Sequence, residues 1–350
     1  MKKILALILA LCLVFALCAC GQSAAPAPAA PAADAPAADA PAADAPAADV
    51  APAAVSADLT MGTGGEAGTY YAFGGALGSY FAQNTDISIN VVSTKGSADN
   101  ITGMVTGGIY DLATVQSDVM TYAFNGTNSF AETGALDGFR VLGGLYAETV
   151  QIVTCDPDIK SVADLAGKKI CAGDVGSGTY FNTVDILAAY DMTIDDVTYI
   201  RQSFADSIES IRTGKIDAAL LTAGAPTSAV TDLANTNQVY LVSIDDAHMA
   251  KLLADCPWYA SYTIPAGTYK NVDVDATTVT VKATLICRAD LDDDVAYTIV
   301  SSIFDNAGSI AHAKSAELSL DFATDGIAVP FAKGAAKYFA EHGITVDTAD

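Results

Sequence analysis

Apolar and polar residues follow two alternating periods from Asp58 onward. Short apolar runs rich in β-branched residues predict strands, and the segments between them repeat apolar residues at three and four positions, which predicts helices. Strands that alternate with helices are typical of α/β folds with largely parallel sheets. The predicted strands cover residues 87–94, 111–116, 138–146, 150–155, 168–173, 198–203, 216–222, 239–244 and 277–288, and the predicted helices cover residues 69–83, 97–106, 179–190, 204–213, 226–234 and 292–307.

Residues 1–19 do not fit this pattern and have the anatomy of an export signal. Lys2 and Lys3 precede an apolar run that is too short to predict a membrane span. The run ends in LCACG, which resembles the bacterial lipobox, so we predict that Cys20 carries a lipid. A plain signal peptide that is cut after Ala19, or left uncut, is the alternative.

Residues 20–57 repeat the tetrapeptide PAAD and offer almost no side chain large enough to bury. This composition predicts a tether that is partly in the polyproline II conformation, with a rise of about 3.1 Å per residue. The lipid anchor and the tether together predict a location outside the cytoplasm, on the cell membrane, in the periplasm or at the outer face.

The rest of the chain exceeds the usual size of a single hydrophobic core, which predicts two lobes. The formal net charge of −24 at pH 7 argues against nucleic acid and anionic membrane surfaces as direct partners, because both need clustered Lys and Arg. An anion can still bind such a protein where local donors overcome the overall field.

Cys155, Cys171, Cys256 and Cys287 remain after the signal and the anchor are set aside. We interpret them as buried thiols, although an even number of cysteines in an exported protein also permits disulfides. Neither these cysteines nor the three histidines have the spacing of metal ligands. We therefore expect no metal site and no cofactor.

Five predicted helices begin directly after a strand, at a small or capping residue. A helix start exposes unpaired N–H groups and about half a positive charge, so it is an anion site. In open α/β sheets these junctions gather at the carboxyl ends of the strands, where ligands bind. The five junctions are Gly68-Thr69, Ser97, Ser117-Asp118, 177–179 and 224–226.

Two glycine-rich loops precede helices and indicate a binding cleft. In GTGGEAGTYY (62–71), the glycines at 62, 64, 65 and 68 permit positive φ and a close approach of the main chain to a ligand, while Thr63 and Thr69 add hydroxyls. GDVGSGT (173–179) is the second loop. Each is also compatible with a simpler interpretation, a tight turn for the first and an ordinary helix cap for the second.

Taken in order, these segments resemble the TAXI group of solute-binding proteins from TRAP transporters, the tripartite ATP-independent periplasmic systems. The resemblance covers most of the chain after the tether. It departs from the family pattern at Ala72, where proline is common, and at Ala332, where histidine is common. The matching segments are 62–71, TKGSADNITGMVTGGIYDLATVQSDV (94–119), LAGKKICAGDVGSGT (165–179), SFADSIESIRTGKIDAALLTAGAP (203–226), IPAGTYKNVDVDATTV (264–279) and GAAKYFAEHGI (334–344).

The resemblance implies a periplasmic-binding-protein fold of type II, with two α/β lobes, a central cleft and a hinge. Lobe 1 would comprise residues 58–147 plus 245–350, and lobe 2 residues 148–244. Family members bind glutamate, glutamine or related small carboxylates and pass them to the integral membrane subunits of the transporter. We expect the same partners here.

The predicted ligand-binding residues come from both lobes. Those of lobe 1 lie on the first loop and at the following helix starts, and those of lobe 2 bind a carboxylate or form the opposite wall. Asp118 is also interpretable as a simple helix cap, and Arg201 is the nearest arginine, either at the cleft or structural. The predicted set is Thr63, Gly64, Gly65, Gly68, Thr69, Tyr70, Ser97, Asn100, Gln116 and Asp118 from lobe 1, and Ser177, Gly178, Thr179, Ala223, Gly224 and Pro226 from lobe 2.

Three other functions are compatible with parts of this pattern. A binding lipoprotein of an ATP-driven importer and a surface sensor share the cleft chemistry. An exported hydrolase with Ser97 or Ser177 as nucleophile needs a positioned base, and no histidine follows a strand end. We therefore expect a binding protein and not an enzyme.

Overall fold

The computed structural model describes residues 55–349, so the predicted export signal, Cys20 and nearly all of the tether lie outside the described residues. The described chain forms an α/β structure around one ten-stranded sheet. The strands are β1 (Ser56–Gly62), β2 (Asp86–Val92), β3 (Leu112–Gln116), β4 (Phe139–Thr154), β5 (Lys169–Cys171), β6 (Thr198–Ile200), β7 (Ala218–Ala223), β8 (Tyr240–Leu241), β9 (Ala260–Ile264) and β10 (Ala276–Arg288). The helices are α1 (Thr69–Asn84), α2 (Ser97–Val105), α3 (Ser117–Asn125), α4 (Thr179–Ala189), α5 (Phe204–Arg212), α6 (Ser228–Thr236), α7 (Asp246–Asp255), α8 (Asp293–Asp305), α9 (Leu320–Thr324) and α10 (Lys333–Glu341).

The sheet consists of two parallel groups that two long antiparallel strands connect. The strand order is β2-β1-β3-β10-β4-β7-β5-β6, with β8 beside β4 and β9 beside β10. Strands β1 to β3 are parallel to one another, as are β5 to β7. Strand β4 pairs with β10 along its first part and with β7 along its last part. The carboxyl ends of both parallel groups therefore approach the region where β4 and β10 pass from one group to the other. The helix starts that follow these strands approach the same region.

The buried apolar residues form three clusters. One cluster combines β1 to β3, α1 to α3, α8, α10 and the first half of β4, and we call these elements the first lobe. The other two lie around β5 to β7 with α4 to α7, which we call the second lobe. Met249, Leu252 and Tyr259 pack in the second lobe, so the chain returns to the first lobe along β10 and not near Asp245.

The structure differs from the sequence prediction most clearly at β4. Residues 138–146 and 150–155 are predicted as two strands, yet one strand of 16 residues covers Phe139–Thr154. Glu148 and Thr149 interrupt the apolar pattern but are buried inside the strand. Helices α7 and α10 are also absent from the predicted set. No helix within residues 55–349 is long and apolar enough to cross a membrane.

Candidate functional site

A cavity with a volume of about 330 Å³ lies between the two lobes. Its walls come from the first loop and the start of α1, from residues 93–97, and from the second-lobe loops that end β5, β6 and β7. We call it the interlobe cavity. It is lined by Gly64, Gly65, Glu66, Ala67, Gly68, Thr69, Tyr70, Ser93, Thr94, Lys95, Gly96, Ser97, Gln116, Glu148, Asp174, Ser177, Ser203, Phe204, Ala205, Thr222 and Ala223.

The start of α1 borders the cavity. Gly68 is the N-cap, and no side chain caps the first turn. A Cβ at Gly68 would lie 3.2 Å from the Gly65 carbonyl oxygen and 3.5 Å from the Phe204 ring of the second lobe. A side chain at this position would crowd the Gly65 carbonyl oxygen, and Gly68, Thr69 and Tyr70 at the start of α1 all line the cavity.

The expected positive φ in this loop is wrong. None of Gly62, Gly64, Gly65 or Gly68 has a positive φ, whereas Gly96 has a φ of 112° in the next loop. Gly62 is instead confined by packing, because a Cβ there would lie 2.9 Å from the side-chain oxygen of Asn100 and 3.1 Å from the Tyr110 ring. Close packing explains Gly62 and Gly68, and backbone conformation does not.

The start of α2 is used differently, because its amides bond to the other lobe. The N–H groups of Ala98 and Asp99 donate to the carbonyl oxygen of Gly176, at 2.9 and 3.3 Å. The Ser97 hydroxyl accepts from the Gln116 N–H at 3.0 Å. Ser97 still lines the cavity, but these α2 amides hold the two lobes together.

Asn100 and Thr63, both predicted to contact the ligand, are buried behind the cavity wall. The Asn100 side-chain amide donates to the carbonyl oxygens of Thr63 at 2.6 Å and Thr114 at 2.8 Å. The Thr63 hydroxyl donates to the Val92 carbonyl oxygen at 2.6 Å. Both residues therefore fix the ends of the strands that carry the loops.

Of the second glycine-rich loop, Ser177 lines the cavity and Gly178 and Thr179 do not. The Ser177 oxygen accepts from the Thr179 N–H at 3.2 Å and also bonds to the Thr179 hydroxyl, which ties it to the first residue of α4. Arg201 braces this loop from outside: its Nη2 donates to the Asp174 carbonyl oxygen at 2.6 Å. Arg201 is therefore structural and does not reach the cavity lining.

The wall formed by β7 combines a cavity residue with a contact between the lobes. Ala223 lines the cavity, whereas Gly224 and Pro226 do not. The Gly224 carbonyl oxygen accepts from the Thr69 hydroxyl of the first lobe at 3.1 Å. Gly224 has no room for a side chain, because a Cβ would lie 2.7 Å from the buried side chain of Lys314.

Asn182, which the sequence analysis does not single out, connects the lobes behind the cavity. Its Oδ1 accepts from Gln116 Nε2 at 2.9 Å and from the Thr222 hydroxyl at 2.8 Å. Its Nδ2 donates to Asp118 at 3.0 Å and to the Tyr259 hydroxyl at 2.7 Å. All four hydrogen-bonding positions of this buried amide are thus occupied.

Asp118 belongs to this network and does not line the cavity. It is 1% exposed, and burial raises the pKa of its carboxyl to about 6. The bond from Asn182 favours the ionised form and partly opposes this shift. Asp118 is therefore more than a helix cap, because it connects α3 to α4.

Glu148, also missed, is a buried acidic residue of the lining. It is 2% exposed, lies within β4 and accepts a hydrogen bond from the Tyr70 hydroxyl. Burial raises the pKa of its carboxyl well above the usual value, and the Tyr70 bond only partly opposes this. An acidic residue in the middle of an apolar strand pattern is the sequence signal that marks it.

The charges of the lining do not favour an anion. Among the described residues, the charged members of the lining are Glu66, Glu148, Asp174 and Lys95. Carboxylates therefore outnumber cations at this surface, and arginine is absent from it. Any bound carboxylate depends on hydroxyls and on the first amides of α1.

The four cysteines within residues 55–349 are free thiols, and three of them are buried. Among residues 55–349, no group of three or more His, Cys, Asp or Glu side chains is arranged to hold a metal ion.

The fold is that of two-lobed periplasmic binding proteins, as predicted. The ligand-binding component of an ABC-type import system from Staphylococcus aureus, with zinc bound, matches with a TM-score of 0.50, 11% identity, and coverage of 83% of this chain and 94% of that one.

Two sulfonate-binding proteins match with lower scores. The alkanesulfonate-binding protein SsuA from Xanthomonas axonopodis pv. citri, bound to MOPS, has a TM-score of 0.45, 15% identity, and coverage of 73% of this chain and 78% of that one. The aliphatic sulphonate-binding SsuA from Escherichia coli has a TM-score of 0.46, 15% identity, and coverage of 81% and 82%. The NMT1-like family model matches residues 61–343, most of the chain, and the protein belongs to the NMT1-like family.

Proposed function

We propose that the protein is an extracytoplasmic solute-binding protein that captures a small carboxylate or amino acid between its lobes. The observation that carries this proposal is the interlobe cavity. Its volume of about 330 Å³ suits a small metabolite, and both lobes supply its walls. A molecule held there contacts both lobes at once, which is the geometry of capture by domain closure.

Contacts between the lobes flank the cavity and support this mechanism. They comprise the α2 amides on Gly176, the Thr69 hydroxyl on Gly224 and the Gln116 amide on Asn182. On their own, these contacts join the two lobes through only a few polar groups. Solute that binds only when the lobes are together adds its own free energy and shifts the population toward the closed form.

The finer assignment is a TAXI solute-binding subunit of a TRAP transporter, with a glutamate- or glutamine-like solute. The ordered motifs of the sequence support it. A binding lipoprotein of an ATP-driven importer is the second candidate, because the S. aureus protein of similar fold is part of an ABC-type system. Uptake into vesicles that contain the cognate membrane subunits separates the two: a TRAP system needs an ion gradient and works without ATP.

A hydrolase is not proposed. Ser97 and Ser177 both line the cavity, but no histidine of the described chain does. The Ser97 oxygen accepts from the Gln116 N–H, and the Ser177 oxygen accepts from the Thr179 N–H. Neither hydroxyl has the adjacent base that nucleophilic catalysis requires.

The proposal includes those members of the predicted ligand-binding set that line the cavity, together with the lipid anchor. It also includes the predicted division into two lobes, except that the chain returns to the first lobe along β10. For the anchor, the experiment is Cys20→Ser with fractionation of the cells. We expect the variant to leave the membrane fraction. Continued association with the membrane would contradict the lipid anchor and leave solute binding unaffected.

Solute binding is tested by thermal unfolding of the purified protein with a panel of amino acids and small carboxylates. A ligand of the native state raises the midpoint by mass action. Ser177→Ala should weaken that ligand by about 1 to 3 kcal/mol, as for a lost buried hydrogen bond, measured by calorimetry. Ser79→Ala, an exposed serine of α1, is the control. A panel without any shift would contradict the proposed function.

A further inference from the structure

Glu148 is a buried carboxyl group that forms no salt bridge within residues 55–349. Its side chain is almost fully buried, yet it reaches the surface of the interlobe cavity. Among residues 55–349, the Tyr70 hydroxyl is the only hydrogen-bond donor to its carboxylate. The ammonium group of Lys314 acts on Glu148 through space, but it is bonded to Glu317 at 2.6 Å. One carboxylate oxygen of Glu148 is therefore left for a group that enters the cavity.

A buried carboxylate with a single donor is unfavourable in the protein alone. Removing an ion from water costs several kcal/mol, which only an opposite charge and further hydrogen bonds offset. Burial accordingly raises the pKa of Glu148. A protonated amine supplies both the charge and the hydrogen bonds, and charge-assisted bonds of this kind are the strong ones.

We propose that Glu148, held by Tyr70, binds a protonated amine of the solute and makes that amine the main determinant of specificity. The inference rests on the proposed function and narrows it, since it favours amino acids and amines over carboxylates without an amine. The other charged residues of the lining agree with a cationic solute group, because the two carboxylates of Glu66 and Asp174 outnumber the single ammonium group of Lys95. The α2 amides, which would otherwise favour an anion, are bonded to Gly176.

The first experiment compares matched solutes on the unaltered protein. Each amino acid that raises the unfolding midpoint is paired with its analogue lacking the amine and its analogue lacking the α-carboxylate, such as glutamate with glutarate and 4-aminobutyrate. We expect loss of the amine to weaken binding about 10- to 100-fold, and more than loss of the carboxylate does. Equal binding of glutarate-type compounds would overturn the inference and leave the proposed function standing. If no solute binds, both fail.

The second experiment uses Glu148→Gln, with Glu132→Gln as the matched control. The control removes the same charge from an exposed position away from the cavity. We expect Glu148→Gln to lose about 10- to 100-fold in affinity for the amine and to be at least as stable as the unaltered protein without solute. Retained affinity would overturn the inference. A loss of stability at unchanged relative affinity for the matched solutes would assign Glu148 a structural role instead.

The pH dependence gives a third readout. An ammonium partner requires the ionised carboxylate, so affinity for the amine should rise with pH until Glu148 is ionised in the free protein. A carboxylate solute that accepts a hydrogen bond from protonated Glu148 would instead lose affinity as the pH rises. The slope should be absent in Glu148→Gln. The groups that act on Glu148 are the phenols of Tyr70 and Tyr146, the carboxyl of Asp118 and the Lys314 ammonium, which is itself bonded to Glu317.

Discussion

Helices α1 and α2 begin in almost the same way and serve different purposes. Both have a glycine N-cap, Gly68 and Gly96, and neither cap position provides a side-chain hydrogen bond. Residues 68–70 at the start of α1 line the interlobe cavity, whereas the amides of Ala98 and Asp99 in α2 bond to the Gly176 carbonyl oxygen. A helix start at a cleft can thus hold either the solute or the opposite lobe.

The difference arises from the partner and not from the helix. The Gly176 loop approaches α2 so closely that a Cβ at Gly96 would lie 3.5 Å from the Ser177 Cα. At the start of α1, the Phe204 ring lies opposite Gly68, and the second lobe bonds to the Thr69 side chain through the Gly224 carbonyl oxygen. The peptide amides at α2 therefore contribute to closure, and we expect those at α1 to contribute to solute affinity.

The largest expected effect comes from Asn182, whose side chain connects the two lobes through its bond to Gln116. Asn182→Ala removes four hydrogen bonds and leaves Gln116 and Thr222 without their buried partner. We expect the free energy of unfolding to fall by about 3 kcal/mol, measured by urea denaturation. Asn84→Ala, at the exposed end of α1, should change it by less than about 0.5 kcal/mol. A similar, small change in the free energy of unfolding of both variants would show that the lobes are held together by the starts of α1 and α2 alone.

The next effect concerns Asp118 in the same network. Burial raises the pKa of its carboxyl to about 6, so the native state binds more protons than the unfolded state between about pH 4 and pH 6. The stability of the protein should therefore fall as pH rises through this range, by an amount on the order of 1 to 3 kcal/mol. Asp118→Asn should lack this component. An identical pH profile in the variant would exclude a shifted pKa at this site.

The smallest effect distinguishes the two helix starts directly. Gly176 has a φ of 93°, so Gly176→Ala strains the loop by about 1 to 2 kcal/mol and displaces the carbonyl oxygen that holds α2. Its affinity for every solute should fall by the same factor. Gly65→Ala causes no such strain and adds a methyl group that meets nothing within 4 Å. It should therefore weaken the binding of a large solute more than that of a small one. Calorimetry with a small and a large solute separates the two patterns.

Local sequence signals account for much of the fold and part of the candidate site. Strand ends followed by small residues predict the starts of α1, α2 and α4, because these junctions need caps and close approach. The lining includes Gly64, Gly65, Gly68, Thr69, Tyr70, Ser97, Gln116, Ser177 and Ala223 from the predicted set, and leaves out Thr63, Asn100, Asp118, Gly178, Thr179, Gly224 and Pro226.

The remaining features depend on contacts between distant parts of the chain. Nothing near Ser97 in the sequence indicates that Gly176 occupies its helix start, and nothing near Asn182 indicates that Gln116 bonds to it. Glu148 is different, because its signal is local. The prediction of two strands around residues 147–149 treats a polar interruption as a break, whereas in the structure it lies buried inside one continuous strand.

Strand β4 has a mechanical consequence because it carries Glu148 and also spans both lobes. Its ladder with β10 slips register between Ala283 and Thr284 and again between Leu285 and Ile286, and such bulges bend and twist a strand locally. The residue proposed to bind the solute and the bends between the lobes therefore lie on the same strand. We expect the affinity for the solute and its rate of release to be coupled for this reason. The extra residues at these bulges are Leu142 and Leu145 of β4, so changes there offer a way to alter the rate of release without replacing Glu148.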